Sequence, residues 1–256
     1  MRSTKVTVLS LLLAATPLVA KAAAVHPDPK LAVAIASPSR NADNVKLDES
    51  RKPAELLQYL GVRKGMNVLD LAGGNGYWAE IIAPVVGPRG KVTVWAGSQF
   101  YTPEIKKSFE SFMARQPNVS IVASPFEAPK LPKNYADFVM FNLDYHDTYW
   151  QSAKYGVPRM DPSLFLKAVY AAMKPGATIG VIDHVADPNG DTRATVEKLH
   201  RIDPEVVKAD FKRAGFVLVG SSDLLRNPAD DHSLLVYDPR VRGKTDRFIF
   251  KFKKPS

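Results

Sequence analysis

Val68-Leu69-Asp70-Leu71-Ala72-Gly73-Gly74-Asn75-Gly76-Tyr77 is the stretch on which the reading of this chain turns. Residues 66–71 form a short apolar run that stops at glycines, which suits a strand buried in a parallel sheet. Gly73, Gly74 and Gly76 then relieve a tight turn of its demand for positive φ and let main chain approach a ligand closely, because glycine has no Cβ. Residues 77–86 follow as a helix. A glycine loop alone is also met as a plain tight turn in unrelated α/β proteins. Its weight here comes from its place after the first strand, with six more strands following in order.

Working outward, strand and helix signals alternate. Upstream, Ser50 is expected to cap a helix that puts Ala54, Leu57 and Leu60 on one face and ends at Gly61. Downstream, residues 91–95 read as the second strand. Thr102-Pro103-Glu104 opens a helix whose apolar face is Ile105, Phe109, Phe112 and Met113. Residues 119–123 and 136–143 are the third and fourth strands. Asp161-Pro162 starts a helix that ends at Lys174-Pro175-Gly176, and residues 178–183 are the fifth strand. A helix over 204–214 is stopped by Gly215, residues 216–220 are the sixth strand, and 247–252 alternates as the seventh. The fold class expected is α/β: a Rossmann-like, seven-stranded, mostly parallel sheet with helices on both faces. No strong helix separates the last two strands, so the seventh is expected to insert antiparallel beside the sixth. Ligands of such sheets sit at the carboxyl ends of the strands, near the switch in strand order.

The 256 residues are 45% hydrophobic and 24% charged, which leaves room for one α/β domain with a sizeable core and little for a second. The absence of cysteine excludes disulfides and thiol catalysis. A net charge of +9 suggests anionic neighbours such as envelope lipid or polymer, without identifying one. Lys251-Phe252-Lys253-Lys254 reads as an edge strand with solvated lysines. No basic helix or aromatic stacking motif accompanies the charge, so no nucleic-acid partner is expected.

Arg2 and Lys5 precede an apolar run over 6–20, and Ala20-Lys21-Ala22 offers a cleavage site, which together make a secretory signal. The run is shorter than the roughly 20 residues a membrane span needs, and Lys21 interrupts it. The expected organisation is a signal peptide over 1–22, a linker or wrapping arm over 23–43 carrying Pro27, Pro29 and Pro38, and one domain over 44–256. The expected location is periplasmic or secreted, with no stable membrane span after cleavage. Cleavage would remove Arg2, Lys5 and Lys21 and leave a charge of +6.

Asp70 followed by Gly74 and Gly76, Lys174-Pro175-Gly176 before the fifth strand and Ala214-Gly215-Phe216 before the sixth resemble the class I S-adenosylmethionine-dependent methyltransferase family, over nearly everything after residue 44. Four further segments, at 41–48, 142–147, 199–203 and 243–248, look like a subgroup of exported predicted methyltransferases of undefined substrate. The resemblance implies S-adenosylmethionine as cofactor, held around Asp70, Ala72, Gly73, Gly74, Gly76, Trp95, Glu127 and Asn142. Two positions depart from the family. Ala72 stands where its first glycine belongs, tolerable if the backbone there is not left-handed. Ala96 ends the second strand, where the family carries an acid paired with both ribose hydroxyls. Losing those bonds would cost about 1–3 kcal/mol, or roughly ten- to a hundredfold in affinity. Trp95 or Ser98 would have to compensate in part, with Glu127 reaching the adenine. The missing acid also argues against a dinucleotide.

Catalytic candidates come from the strand ends. His146 leaves the fourth strand on the ligand side; a histidine titrates near neutral pH and can take the proton from a hydroxyl attacking a methyl sulfonium. Asp144 or Asp147 would hold its ring. The plainer reading is a hydrogen-bonded loop that orders Thr148-Tyr149-Trp150. Asp144 and Asp183 leave neighbouring strands at one edge, which resembles metal-dependent catechol-type O-methyltransferases. That likeness implies a divalent cation on Asp144, Asp183 and His184, magnesium or calcium on oxygen ligands alone and zinc or manganese if His146 or His184 joins, although His184 replaces the family's amide. His200 lies either over the acceptor pocket with Arg201 or simply ahead of the helix capped by Asp203. Asp230-Asp231-His232 reads as a hairpin turn and Asp246-Arg247 as an ion pair. The function expected is methyl transfer to oxygen or nitrogen of a small-molecule acceptor. Two rivals stand beside it. One is a non-catalytic methyltransferase-fold protein binding a nucleoside-like or envelope ligand, favoured by Ala96 and by the scarcity of cofactor outside the cytoplasm. The other is a metal-assisted hydrolase using Asp144, His146, Asp183 and His184.

Overall fold

A computed structural model describes residues 29–188 and 190–256. The expected signal peptide, the first residues of the expected arm and Asn189 lie outside the described residues. The elements in chain order are α1 (Pro29–Ile35), α2 (Ala42–Val45), α3 (Asp48–Arg51), α4 (Pro53–Leu60), β1 (Asn67–Leu71), α5 (Tyr77–Val86), β2 (Lys91–Gly97), α6 (Pro103–Arg115), β3 (Val119–Ser124), β4 (Ala136–Asn142), a 3-10 turn (His146–Tyr149), α7 (Pro162–Ala172), β5 (Met173–His184), α8 (Thr192–Leu199), α9 (Pro204–Arg213), β6 (Val217–Ser222) and β7 (Arg247–Lys253).

The strands form one sheet in the order β3-β2-β1-β4-β5-β7-β6. β1 pairs in parallel with both β2 and β4, and β4 in parallel with β5. β7 inserts antiparallel between β5 and β6, as the missing helix before it led one to expect. Strand order reverses between β1 and β4, so the crevice outside their carboxyl ends is where a ligand belongs. Side chains alternate across the sheet into two buried clusters. Val68, Val94 and Met140 pack with Leu57, Ile82 and Phe109 from α4, α5 and α6. Leu69, Val139 and Val181 pack with Phe165, Val207 and Phe211 from α7 and α9. Helices therefore cover both faces. No helix among the described residues is long and apolar enough to cross a membrane.

Several local expectations need correction. Residues 29–35 of the expected arm are helical, and Leu31 and Ala34 are buried in the cluster that includes α5. Pro29 opens that helix, where its missing N–H goes unused. The α4 helix starts at Pro53 after a left-handed Lys52, while Ser50 lies in the separate turn α3 and donates to the Leu47 carbonyl. β5 begins at Met173, five residues ahead of its expected start, and its pairing with β4 shifts register between Ala136 and Phe138. Asp230-Asp231-His232 sits in the irregular connection over 223–246 rather than in a hairpin turn. Asp230 there accepts two hydrogen bonds, at 2.8 and 3.0 Å, from the fully buried Arg201. Asp246 pairs with Arg226, not with Arg247.

Candidate active site

The crevice starts where β1 stops. Ala72, Gly74 and Gly76 all have left-handed φ, at +52°, +52° and +82°. The condition under which Ala72 would be harmless is therefore not met: its methyl sits on left-handed backbone, a conformation that costs about 1–2 kcal/mol for an L-residue. Gly73 is required for a different reason. A Cβ there would lie 2.6 Å from Asp70 Oδ2 and 2.7 Å from Val94 Cγ1. Gly76 does not line the crevice; it caps α5 and receives Phe109 and Phe112 against its backbone.

The crevice holds about 240 Å³ and is lined by Arg51, Asp70, Ala72, Gly74, Asn142 and Asp144, among others. Asp70 is the informative member. It is 1% exposed, and both carboxylate oxygens are buried without a hydrogen-bond partner. Burial pushes its pKa up to about 7, with Arg51 pulling part of the way back. Native proteins rarely leave buried acceptors unanswered, so this pair of oxygens fits a donor that arrives with a ligand.

Two of the residues expected to bind cofactor are elsewhere. Trp95 is fully buried in the cluster on the α7 face, where Nε1 donates to Ser124 Oγ at 2.8 Å and the ring meets Phe126 and Phe165. It cannot replace the missing ribose acid. Glu127 does not line the crevice and accepts from Gln99 Nε2 at 2.8 Å. In contrast, residues 41–51, noted only for a family likeness over 41–48, tie down the loop. Asn75 Nδ2 donates to Asn44 Oδ1 at 2.6 Å, and Asn44 Nδ2 donates to Glu80 Oε2 at 2.8 Å. Tyr77 Oη donates to Asp48 Oδ1, which also pairs with Arg40. The Arg51 guanidinium lies 4.3 Å above the Tyr77 ring. The ties from this segment to the loop and α5 have no spacing signal, since their partners lie 26 to 36 residues apart.

Arg51 and Leu143 also line a second cleft of about 770 Å³, so the two hollows share a wall. Its lining carries Lys46, Arg51, Lys52, Arg226, Arg242, Lys244 and Arg247 against one acid, Glu49. Lys46 and Arg226 are neutralised by Asp43 and Asp246. Arg51 and the buried Arg247 have no carboxylate within ion-pair distance among the described residues. Burial, with Arg51 adding to it, lowers the Arg247 pKa to about 10. His184 opens on the same cleft and is anchored by Nδ1 on Thr245 Oγ1 at 2.7 Å. Burial and the charges of His146, Arg247 and Arg201 drive its pKa well below the usual value, so its ring is neutral.

His146 is placed differently from its expected role. It is 2% exposed, and Nδ1 meets Asp183 Oδ1 at 2.7 Å while its backbone N–H donates to Asp183 Oδ2 at 2.8 Å. Nε2 faces Asp147 Oδ1 at 3.2 Å and His200 Nδ1 at 3.3 Å. Burial opposes its charge, but Asp183 and Asp147 hold its pKa well above that of a free imidazole. With both ring nitrogens engaged and the ring charged, it has no lone pair for an acceptor hydroxyl. The expected metal set is not assembled either. Asp183 spends its oxygens on His146 and on the His184 backbone N–H, and Asp144 belongs to the glycine-loop crevice. The described residues instead bring together His146, Asp147 and His200. Asp144 is raised well above the carboxylate range by burial and by Asp147. The four groups required for the hydrolase reading do not converge.

The sequence profile of the protein-L-isoaspartate(D-aspartate) O-methyltransferase family matches residues 37–117, a span that contains the glycine loop and its tie-down segment. The demethylmenaquinone methyltransferase of Listeria welshimeri is 30% identical over 137 residues, 53% of this chain and 51% of the relative, so the chain spans about half the length of the curated relatives it matches. Among solved structures, an S-adenosylmethionine-dependent methyltransferase from Aquifex aeolicus matches with a TM-score of 0.57 at 19% identity, over 84% of this chain and 94% of that one. The 1,6-didemethyltoxoflavin-N1-methyltransferase of Burkholderia thailandensis, solved with S-adenosylhomocysteine, matches at 0.54 and 15% identity, over 84% and 80%. The fold of this chain is the Rossmann-like fold of these methyltransferases.

Proposed function

We propose that this protein transfers the methyl group of S-adenosylmethionine to oxygen or nitrogen of a small, anionic acceptor. The observation that carries the reading is Asp70: a buried carboxylate with two bare oxygens, at the end of β1 and beside an amide-lined glycine turn. S-adenosylmethionine supplies a cationic amino group and an electrophilic methyl sulfonium, and the first of these answers Asp70. Asn142 and the backbone at Ala72 and Gly74 would hold the rest of that end of the molecule. Ala96 leaves the ribose without its usual acid, so binding is expected to be weaker by the roughly ten- to hundredfold that such hydrogen bonds are worth.

The adjoining cleft supports the anionic acceptor. Arg51 and Arg247 are cations at its wall with no carboxylate of their own, and an uncompensated buried charge is strongly unfavourable until something pairs with it. A neutral His184 lines the same wall, where burial and the neighbouring cations disfavour its taking up a proton, so its part is to help orient the acceptor. Catalysis of this kind is mostly alignment. The apolar run over 6–20 after Arg2 and Lys5 supports export to the periplasm or beyond as part of the same proposal, and no nucleic-acid partner is included.

The test is calorimetric titration of the purified protein with S-adenosylmethionine and with S-adenosylhomocysteine. One site per chain is expected for each. An absence of heat up to millimolar ligand would remove the methyltransferase reading and leave a fold that binds something else.

A further inference from the structure

We propose that His146, Asp147 and His200 form a binding site for a zinc-class divalent cation, a set distinct from the Asp144, Asp183 and His184 that the family likeness implied. The three ligand atoms come from two segments, the 3-10 turn after β4 and the residue that ends α8. His146 Nε2 lies 3.2 Å from Asp147 Oδ1 and 3.3 Å from His200 Nδ1, and His200 Nδ1 lies 3.3 Å from Asp147 Oδ1. A tetrahedral zinc ion with bonds of about 2.0–2.1 Å spaces its ligands about 3.3–3.4 Å apart. The observed triangle therefore has the size of one face of that tetrahedron. Three protein ligands are supplied by the described residues, the number found in zinc sites that take their fourth ligand from water or a substrate.

Asp147 Oδ1 is buried and faces both rings, at 3.2 and 3.3 Å, without hydrogen-bond alignment to either, so what joins the cluster is charge contact that a cation at the centre would replace. Without a metal, the charged His146 ring keeps its Nε2 proton between Asp147 and His200; an entering cation displaces that proton to solvent and takes the lone pairs of His146 Nε2 and His200 Nδ1. The far side of His146 is already arranged for that role. Asp183 holds Nδ1 at 2.7 Å and takes the backbone N–H with its other oxygen, which aims Nε2 into the triangle. A carboxylate behind a ligating histidine is the usual second support of a metal site. Two imidazoles and one carboxylate favour zinc or its transition-metal neighbours over magnesium or calcium, which prefer all-oxygen sets.

The site flanks the cationic cleft. The His184 ring, which lines the cleft, is 6.0 Å from that of His146, and the Tyr237 ring, also on the cleft wall, is 5.3 Å from that of His200. The three ligands stand behind these two rings rather than on the cleft wall, and an oxygen that reached the cation between them would have its pKa lowered. The binding itself does not depend on methyl transfer.

Full-length protein stripped of metal would be titrated with zinc against a chromophoric chelator, and separately with cobalt(II) as an optical probe. One zinc per chain is expected, with four-coordinate cobalt absorption, and excess magnesium should not compete. Asp183→Asn should weaken zinc about 10- to 100-fold, and His200→Ala and Asp147→Asn by more than about 100-fold. His200 is near the surface, and Asp147→Asn keeps the side chain's shape, so folding of at least one can be checked by circular dichroism. Wild type that takes up no zinc at micromolar free metal, or folded variants that bind zinc as well as wild type, would overturn the site. Titrating the metal-free protein with S-adenosylmethionine reads the glycine-loop crevice on its own, so failure of either proposal shows separately.

Discussion

The ends of β1 and β5, two places apart in the same sheet, each present a buried aspartate, and their surroundings treat the two in opposite ways. Asp183 receives the His146 backbone N–H at 2.8 Å, the His146 ring at 2.7 Å and the His184 backbone N–H at 2.8 Å. Asp70 receives nothing from the described residues, and its burial carries its pKa to about 7. Burying a carboxylate among donors fixes the groups that donate; burying one bare is a standing penalty of several kcal/mol until it is protonated or met by a ligand. The first aspartate is scaffold. The second is a place kept for something the chain itself does not provide.

The contrast is easiest to break with Asp183→Ala. Removing it leaves two buried backbone donors unmet and takes from a charged, buried imidazole the closer of its two carboxylates, a loss expected to destabilise the fold by about 3–5 kcal/mol. Urea unfolding followed by circular dichroism would show the midpoint collapsing. A shift no larger than that of a surface change would mean Asp183 is not what holds the end of β5, and the comparison would lose one of its sides.

Asp70→Asn should do the reverse to stability while damaging binding. In the folded protein Asp70 keeps its proton up to about pH 7, whereas in the unfolded chain it ionises near 3.8. Between those values the native state holds the extra proton, so stability falls as pH rises through the window and is lowest above it. The asparagine variant has no such slope. It should be about as stable as wild type near pH 4 and gain an advantage of about 1–3 kcal/mol by pH 8. Cofactor affinity should drop about 10- to 100-fold, the worth of a hydrogen bond to a charged group. In wild type that affinity should rise as pH climbs through 7, because the ionised form is the one that meets a cation. Calorimetry and urea melts at pH 5 and pH 8 read both effects; a variant that melts earlier than wild type at pH 8 would refute the reading of Asp70 as an unpaired burden.

How far each aspartate was legible in the sequence follows from the range of the contacts involved. The strand run, the glycines and the order of seven strands are local or periodic signals, and the sheet is as they imply. Asp70 was marked by its position ahead of Gly74. Its lack of partners was not, because that depends on which side chains the fold brings to the end of β1. His146, Asp183 and His200 were each singled out, but not the contacts that join them. Nothing in Asn142-Leu143-Asp144-Tyr145-His146-Asp147 says that Asp183 turns the imidazole away from the cleft, or that His184, taken for a metal ligand, is the one left facing it. Trp95 was misplaced because period-two alternation gives two faces without saying which of them the ligand uses. Arg51 and the Asn44–Asn75 tie have no pattern at all; they exist only once α2 and α3 fold back over the loop.

The smallest expected effect probes the loop next to Asp70. Ala72 and Gly74 share φ of +52°, yet only one of them is glycine. In Ala72→Gly the left-handed strain of about 1–2 kcal/mol is relieved, and the added freedom of the unfolded chain takes back about 0.4–1 kcal/mol of that. The net gain should be about 0.5–1 kcal/mol, visible as a small rise in the urea midpoint. Because the turn already has the shape that glycine prefers, cofactor affinity should stay within about twofold of wild type, in contrast to the loss at Asp70. A large change in affinity would mean that the Ala72 methyl is itself a contact, and that the family's missing glycine was exchanged for binding rather than merely tolerated.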